Sequence, residues 1–300
     1  MTDLDACIVC HEETFETLHD ATFDGTAKDA VPCFLTDREK AVHGRIVQCR
    51  GCGFVFTSPQ FAAAEYSRIY AQVASDGDDE GRRRANMRRF AKLASLVRPY
   101  VGDGRFFDLG AGDGGFLDAM GDADGTGFEI RDVPPSTADG RGRGIVTGDF
   151  IAACADPANG WQGAFDFVTG WDVLEHLPDL AGHMQAVHGL LRDGGYFFCT
   201  VPNVASLNAR LSGRRWNMLL LEHLWYFAPS TFKAFAARQG FEVLACRRIT
   251  YPSDFGTLLL RLAQTFGSGS FRPPKALGSV PVSLPIGLMF VVCRKAAAGG

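Results

Sequence analysis

Short apolar runs alternate with segments of helical periodicity along most of the chain. Strands are predicted to begin near Phe106, Gly125, Ile145, Phe165, Tyr196, Phe241 and Leu288. Between them, apolar residues recur at helical spacing over residues 83–101, and a capped helix is predicted to begin at Ser230 and end at Gly240. Such alternation favours an α/β fold in which helices cover both faces of a mainly parallel, seven-stranded sheet.

The same pattern divides the chain into three parts. Residues 1–60 contain paired cysteines and are predicted to form a small module, and residues 61–84 are predicted to be a linker and lead-in. Residues 85–300 carry the alternating strands and helices. Within them, residues 267–286 are rich in Gly, Ser and Pro, so an irregular insertion is predicted before a final strand at 287–294.

Composition and charge narrow the class of protein. The 300 residues are 46% apolar, which is ample for a globular core, and the formal net charge is −4. Nucleic acid is therefore not the predicted partner. The arginines between Arg82 and Arg89 are predicted to form the solvated face of a helix, and a phosphate or membrane contact is the alternative. The N-terminus has no apolar leader, and the longest mainly apolar segment, 280–293, is too short to span a bilayer. These features predict a cytoplasmic protein without a membrane span, and they leave its oligomeric state unknown.

A glycine-rich turn lies between the first strand of residues 85–300 and the helix that follows it. It reads Asp108-Leu109-Gly110-Ala111-Gly112-Asp113-Gly114, and glycines at such a turn let backbone N–H groups approach a ligand closely. Glu129 follows nineteen residues after Gly110, at the end of the next predicted strand. A carboxylate at this spacing suits ribose hydroxyls at the switch point of an open α/β sheet. The turn therefore predicts a site for a cofactor that contains a nucleoside.

The turn resembles motif I of the class I S-adenosylmethionine-dependent methyltransferases, because an acidic residue ends the strand before the glycines. Segments 165–177 and 190–198 resemble the family's fourth and fifth strands with their adjoining loops. The resemblance covers about residues 85–295, and it implies a Rossmann-like fold with S-adenosylmethionine as methyl donor. It further implies a set of cofactor-binding residues, in which an aromatic face lies near the sulfonium cation. These are Asp108, Gly110, Ala111 and Gly112 for the methionine part, Glu129 for the ribose, Asp149 and Phe150 for the adenine, and Trp171 for the sulfonium. Plain packing in the core is the alternative for Trp171.

Four cysteines form two Cys-x-x-Cys knuckles near the N-terminus. The knuckles are Cys7 with Cys10 and Cys49 with Cys52. Two knuckles can surround zinc with four thiolates and leave no open coordination position, which predicts a structural metal. The 38 residues between the pairs require an inserted hairpin or loop, and Cys33 or His11 could replace one ligand. Reduced thiols without metal are the alternative. Segment 48–59 also resembles the zinc-binding N-terminal module of some bacterial methyltransferases, including sugar C-methyltransferases.

Two Glu-His pairs are candidates for proton transfer. Glu175-His176 belongs to a Leu-Glu-His-Leu pattern that is widespread in the resembled superfamily, so His176 is assigned a structural or cofactor-side role. Glu222-His223 lies past the fifth strand, where the acceptor is expected, and histidine chemistry suits a general base. His223 is therefore predicted to be the base, with Glu222 orienting it, and a packed core histidine is the alternative. The resembled sugar C-methyltransferases use a Tyr-x-Glu-His segment, but this chain has Leu220 at the tyrosine position.

These observations predict a zinc-containing class I methyltransferase that acts on oxygen or carbon of a small molecule or glycan precursor. One alternative is a ribosomal RNA methyltransferase with a zinc ribbon, which the acidic balance of the chain disfavours. A second alternative is a non-catalytic scaffold protein that binds the cofactor without a working acceptor pocket.

Overall fold

The computed structural model describes residues 1–34, 42–72, 80–130, 144–254, 259 and 281–296. Most of the predicted insertion, residues 267–280, and residues 73–79 of the predicted linker lie outside this part of the chain. The described residues include no helix long and apolar enough to cross a membrane.

Eleven strands and eight helices are found in the described residues. The strands are β1 (Phe15–His19), β2 (Ile46–Cys49), β3 (Val55–Thr57), β4 (Phe106–Leu109), β5 (Gly125–Glu129), β6 (Ile145–Thr147), β7 (Phe165–Trp171), β8 (Leu191–Pro202), β9 (Trp225–Tyr226), β10 (Phe241–Asp254) and β11 (Pro281–Lys295). The helices are α1 (Ala27–Ala30), α2 (Ala63–Gln72), α3 (Glu80–Val101), α4 (Gly115–Ala119), α5 (Phe150–Ala155), α6 (Leu180–Leu190), α7 (Leu207–Ser212) and α8 (Pro229–Arg238).

Seven strands form one large sheet in the order β10-β11-β8-β7-β4-β5-β6. The four pairs from β8 to β6 are parallel, and the two pairs that add β11 and β10 are antiparallel. The predicted α/β fold with a mainly parallel, seven-stranded sheet is confirmed. The chain leaves β4 toward β5 on one side and returns through β7 on the other, so the crevice for a ligand lies at the carboxyl end of β4.

The sheet has a hydrophobic core on each face. Successive residues of a strand point to opposite faces, so both are buried, each in a different core. Phe106 packs with Phe116 and Leu93 in the core beneath α3 and α4. Phe107 points the other way and packs in the core that α5, α6 and α8 cover. Because both faces are buried, the strand sequences are continuously apolar, and the sheet was predicted from these runs.

The final strand is longer than its sequence indicates. It begins at Pro281 rather than at Gly287, so residues 281–286 belong to a strand and not to the predicted insertion. Along this stretch β11 pairs with β10 alone, and its pairing with β8 starts only at Leu288. Prolines are tolerated in a strand that has one free edge, because the missing N–H is then not required by a second neighbour.

A second sheet, with the antiparallel order β1-β2-β3-β9, contains the N-terminal cysteine segment. Its fourth strand comes from residues 225–226, far along the chain. Helix α2 follows this sheet and buries Tyr66 and Ile69, so part of the predicted linker is an ordered helix whose apolar residues recur at helical spacing.

Candidate active site

The glycine turn after β4 has the backbone geometry that its sequence requires. Gly110, Gly112 and Gly114 have φ angles of 73°, 56° and 84°, in the region that favours glycine. At Gly110 a Cβ would collide with the Val173 side chain, whereas at Gly112 a Cβ would meet nothing within 4 Å. Gly110 is therefore required by packing, and Gly112 borders an open cradle at the end of β4.

Two carboxyl groups lie at this cradle. The Gly112 N–H donates to Glu129 Oε2 at 3.0 Å, which ties the end of β5 to the turn. Asp108 is almost fully buried and accepts from the Thr169 hydroxyl at 2.5 Å. Burial raises the pKa of Asp108 to about 7, and the Thr169 hydroxyl acts in the opposite direction. The sequence-predicted Asp108, Gly112 and Glu129 are thus brought together.

The other predicted cofactor residues have varied surroundings. Asp149 is exposed at the start of α5, where its carboxylate accepts from the Ala152 N–H at 2.9 Å. The Phe150 ring lies in the core, with the Phe128 ring 5.4 Å away and the His183 ring stacked at 5.6 Å. A role for Phe150 beside the adenine stays a prediction, since its ring is already packed on these two partners.

Trp171 is the last residue of β7, and its indole ring is buried together with its N–H group. Its ring lies 5.0 Å from that of Phe116 and is stacked on Phe290 at 6.2 Å. Among the described residues its indole Nε1 has no hydrogen-bond partner, although the atom is buried. A buried donor without a partner is uncommon in folded proteins. Its place near the sulfonium stays a prediction.

An ion pair beside the turn was not predicted. The sequence placed Arg89 on a solvated helix face, but its guanidinium pairs with Asp172 at 2.5 Å and packs over the Tyr251 ring at 5.0 Å. Asp172 has a φ of 56°, and its carboxylate also accepts from the Thr200 hydroxyl at 2.5 Å. Arg89 reaches both Asp172, which follows β7, and Tyr251 on β10, because α3 packs against this face of the sheet, and no local sequence pattern indicates this.

The two Glu-His pairs, which the sequence treated as competitors, form one cluster. The His176 and His223 rings lie 4.8 Å apart in an edge-to-face arrangement. The loop that carries His176 also reaches the glycine turn, since the Val173 side chain lies beside Gly110. Glu222 meets the cluster through its carbonyl oxygen, 3.1 Å from His176 Nδ1.

Hydrogen bonding assigns the tautomer of His223. Its Nδ1 lies 2.8 Å from the Met218 carbonyl oxygen, which can only accept, so Nδ1 carries the proton. In the neutral ring, Nε2 then holds the lone pair. His223 as a whole is 5% exposed, so the surrounding protein restricts the orientation of its ring.

Glu175 adds a buried carboxyl group to the cluster. One ligand atom from each of Glu175, His176 and His223 lies within 4.8 Å of the others. Within the described part of the chain, Glu175 Oε2 is buried without a hydrogen-bond partner. Burial raises the pKa of this carboxyl well above its usual range, and the charge of Asp172 raises it further. Both effects favour the protonated, neutral form of the Glu175 carboxyl group.

The four knuckle cysteines converge in front of the N-terminal sheet. The Cys7 and Cys52 sulfurs lie 3.7 Å apart, those of Cys10 and Cys49 lie 3.5 Å apart, and all four lie within 4.8 Å of one another. A tetrahedron with Zn–S bonds of 2.3 Å has edges of about 3.8 Å. The donor set fits one tetrahedral metal ion and contains neither Cys33 nor His11.

Comparison with known proteins identifies the large domain. A family model described as "Methyltransferase domain" matches residues 79–245, more than half of the chain. The chain belongs to this methyltransferase family. The methyltransferase is therefore an S-adenosylmethionine-dependent enzyme, as the resemblance of its glycine turn to motif I implied.

Relatives of this methyltransferase share only part of its length. It is 30% identical to a ubiquinone biosynthesis O-methyltransferase of Bordetella avium over 162 residues, which cover 49% of this chain and 66% of that protein. A protein of the same name from Pseudomonas aeruginosa is 30% identical over 161 residues, 49% of this chain and 68% of its own. This methyltransferase therefore spans about two thirds of the length of these relatives.

A solved structure supports the fold. The methyltransferase is similar to the 1,6-didemethyltoxoflavin-N1-methyltransferase of Burkholderia thailandensis, solved with 1,6-didemethyltoxoflavin and S-adenosylhomocysteine bound. The TM-score is 0.52 at 16% identity, and the likeness covers 83% of this chain and 98% of that chain. At this identity the likeness concerns the fold alone.

Proposed function

We propose that this methyltransferase transfers a methyl group from S-adenosylmethionine to a hydroxyl oxygen of a small organic acceptor, with His223 as the general base. The relatives that match half of the chain are named O-methyltransferases of ubiquinone biosynthesis. The formal net charge of −4 provides no broad attraction for nucleic acid, so a small acceptor is favoured over RNA.

The tautomer of His223 is the observation that carries this proposal. A hydroxyl acceptor must lose its proton as the oxygen attacks the methyl group, and a positioned base contributes typically about 10²–10⁴-fold in rate. Because the Met218 carbonyl holds the Nδ1 proton, Nε2 is the atom that can accept this proton. His176 packs against the same ring and supports its orientation.

The cofactor would be held by the cradle at the end of β4. Its sulfonium supplies the methyl group when it is bound. Glu129 would accept from the ribose hydroxyls, and its present bond to the Gly112 N–H keeps the carboxylate at the cradle. Gly112 allows close approach because it has no Cβ, and Trp171 would present an aromatic surface near the cationic sulfur.

We also propose a structural zinc ion on Cys7, Cys10, Cys49 and Cys52. Support comes from sulfur separations of 3.5 and 3.7 Å, close to those of a tetrahedral thiolate site. They are also far longer than a disulfide bond of about 2.05 Å. Four thiolates complete the coordination sphere, so the zinc would stabilise the module and take no part in methyl transfer.

The test of the proposed function is a transfer assay with S-adenosylmethionine labelled at the methyl group. Phenols, catechols, nucleotide sugars and ribosomal RNA are offered to the wild-type enzyme and to His223→Gln. We expect transfer to a phenolic or catecholic hydroxyl that falls at least about 10²-fold in the variant, with unchanged affinity for S-adenosylhomocysteine by calorimetry. His188→Gln is the matched control, because His188 packs on Phe241 away from the cradle.

Two results would contradict the proposal. Transfer to ribosomal RNA but to no small acceptor would replace the substrate class. Wild-type turnover by His223→Gln would remove the base and leave proximity and orientation as the source of catalysis.

A further inference from the structure

The N-terminal sheet and helix α2 reach the two histidines of the candidate site directly. Strand β3 pairs with β9, placing Val55 opposite Tyr226 and Phe56 opposite Trp225. Strand β9 begins two residues after His223. The segment that carries the proposed base is therefore anchored by a sheet whose other three strands belong to residues 1–60.

Thr57, the last residue of β3, makes two bonds to this segment. Its N–H donates to the Leu224 carbonyl at 2.9 Å, and its hydroxyl donates to the His223 carbonyl at 2.9 Å. Thr57 is buried, so neither bond competes with water. The backbone of the proposed base is thus fixed from the N-terminal side.

Tyr70, near the end of α2, contacts the cluster through its side chain. Its hydroxyl lies 3.2 Å from His176 Nδ1, and its ring stands edge-on to the His176 ring at 6.5 Å. The Phe34 ring packs edge-on to Tyr70 at 5.4 Å and restricts its position. Tyr70 is 106 residues away from His176 in sequence, yet their side chains meet in the folded chain.

Two oxygen atoms therefore surround His176 Nδ1. One is the Glu222 carbonyl, which can only accept, so Nδ1 carries a proton. The Tyr70 hydroxyl oxygen can accept from the same N–H, as in a three-centre hydrogen bond. Together they favour the tautomer in which His176 Nε2 holds the lone pair, and they fix the ring that packs against His223.

We infer that Tyr70 is a positioning residue for methyl transfer, which fixes the tautomer and orientation of His176 and, through that ring, the orientation of His223. The inference rests on the proposed function of the two-histidine cluster. If Tyr70 has this role, the segment before the methyltransferase domain contributes a residue to the active site. Tyr70 itself is not placed in contact with acceptor or cofactor.

The test reads the histidine nitrogens directly. Protein labelled with ¹⁵N-histidine is examined by long-range ¹H–¹⁵N correlation spectra, and His176→Gln and His223→Gln assign the two rings. We expect both wild-type rings to carry the proton on Nδ1. In Tyr70→Phe, the His176 signals should move toward a mixture of the two tautomers, because one of two acceptors is lost.

Tyr66→Phe is the matched control, since Tyr66 lies on the same helix and is buried against Phe61. This variant should leave the His176 signals at their wild-type positions. Thermal unfolding of both variants checks that they are folded. With the acceptor found by the transfer assay, Tyr70→Phe should lower kcat by up to about 10²-fold, as expected for a misplaced reacting group, without changing the KM for S-adenosylmethionine.

Two spectra would overturn the inference. One is a wild-type spectrum with the His176 proton on Nε2, which needs no Tyr70 variant. The other is a folded Tyr70→Phe protein with wild-type His176 signals. Neither spectrum requires an acceptor or turnover, so a wrong assignment of the His176 tautomer is distinguishable from a failure of the proposed function, which the transfer assay alone reveals.

Discussion

Replacing Gly112 by alanine separates cofactor binding from backbone strain. Gly112 has a φ of 56° and borders open space in which a Cβ would meet nothing within 4 Å. Gly160 has a φ of 61° and equally open surroundings, but it precedes β7 and so lies at the opposite edge of the sheet from the cradle. The two positions share the same conformational penalty and differ in their distance from the proposed cofactor.

Two free-energy costs set the expected magnitudes: the backbone strain of a residue with a Cβ, and the loss of contact with the cofactor. A residue with a Cβ loses about 1–2 kcal/mol in the left-handed region, so both Gly112→Ala and Gly160→Ala should lower the unfolding midpoint by a few degrees, at about 2–4 °C per kcal/mol. Only at Gly112 does the new methyl group fill the cradle. If it prevents one buried polar contact with the cofactor, binding weakens by about 1–3 kcal/mol, or roughly 5- to 150-fold in Kd.

Calorimetry with S-adenosylhomocysteine measures the loss of cofactor binding, and thermal unfolding without ligand measures the backbone strain. Gly160→Ala should bind with the wild-type Kd, and Gly112→Ala should bind more weakly at a similar loss of stability. Gly110→Ala should be the least stable of the three, because its Cβ also collides with Val173. Equal Kd values for Gly112→Ala and wild type would show that the cofactor does not lie against this glycine.

Three further outcomes are expected. Glu129→Ala should weaken S-adenosylhomocysteine binding by about 1–3 kcal/mol, and calorimetry that shows the wild-type affinity would remove Glu129 from the site. Metal analysis should find about one zinc per chain, which Cys49→Ala/Cys52→Ala loses and Cys246→Ala keeps; zinc retained by the double variant would refute the thiolate site. Asp108 has its pKa raised from 3.8 to about 7, so the folded state keeps a proton that the unfolded state releases. Its contribution to stability is greatest below about pH 4 and declines, by up to about 4 kcal/mol, as pH rises to about 7. Denaturant unfolding should therefore show Asp108→Asn gaining stability relative to wild type over this range, and parallel pH profiles would contradict the assignment.

Local patterns account for the parts of the structure that the sequence predicted. Each strand of the large sheet was located from a short apolar run within it. The pair Phe106-Phe107 contains one residue for each of the two cores. The turn at Gly110 and Gly112 could be predicted because its positive φ angles restrict the residue type. The spacing from Gly110 to Glu129 is likewise set by a single strand-helix-strand unit.

Contacts between distant residues could not be predicted in this way. Arg89 and Asp172 are 83 residues apart, and their pairing depends on how α3 packs against the sheet. The meeting of His176 and His223 depends on β9 leaving the large domain to join the N-terminal sheet. A two-residue strand has no periodicity that a sequence pattern could reveal. The two histidines were therefore interpreted as alternative candidates for proton transfer and not as neighbours.

Because β3 pairs with β9, the N-terminal sheet cannot be completed during translation until residues 225–226 have been synthesised. Strand β3 ends at Thr57 and β9 begins at Trp225, 168 residues later. At about 5–20 residues per second, a ribosome needs roughly 10–30 s to synthesise this interval. During that time the N-terminal sheet has an unpaired edge at β3, which is a template for association with other chains. A fragment that ends near residue 60 would keep this edge permanently, so the cysteine segment is poorly suited to transplantation onto another enzyme unless the β9 strand accompanies it.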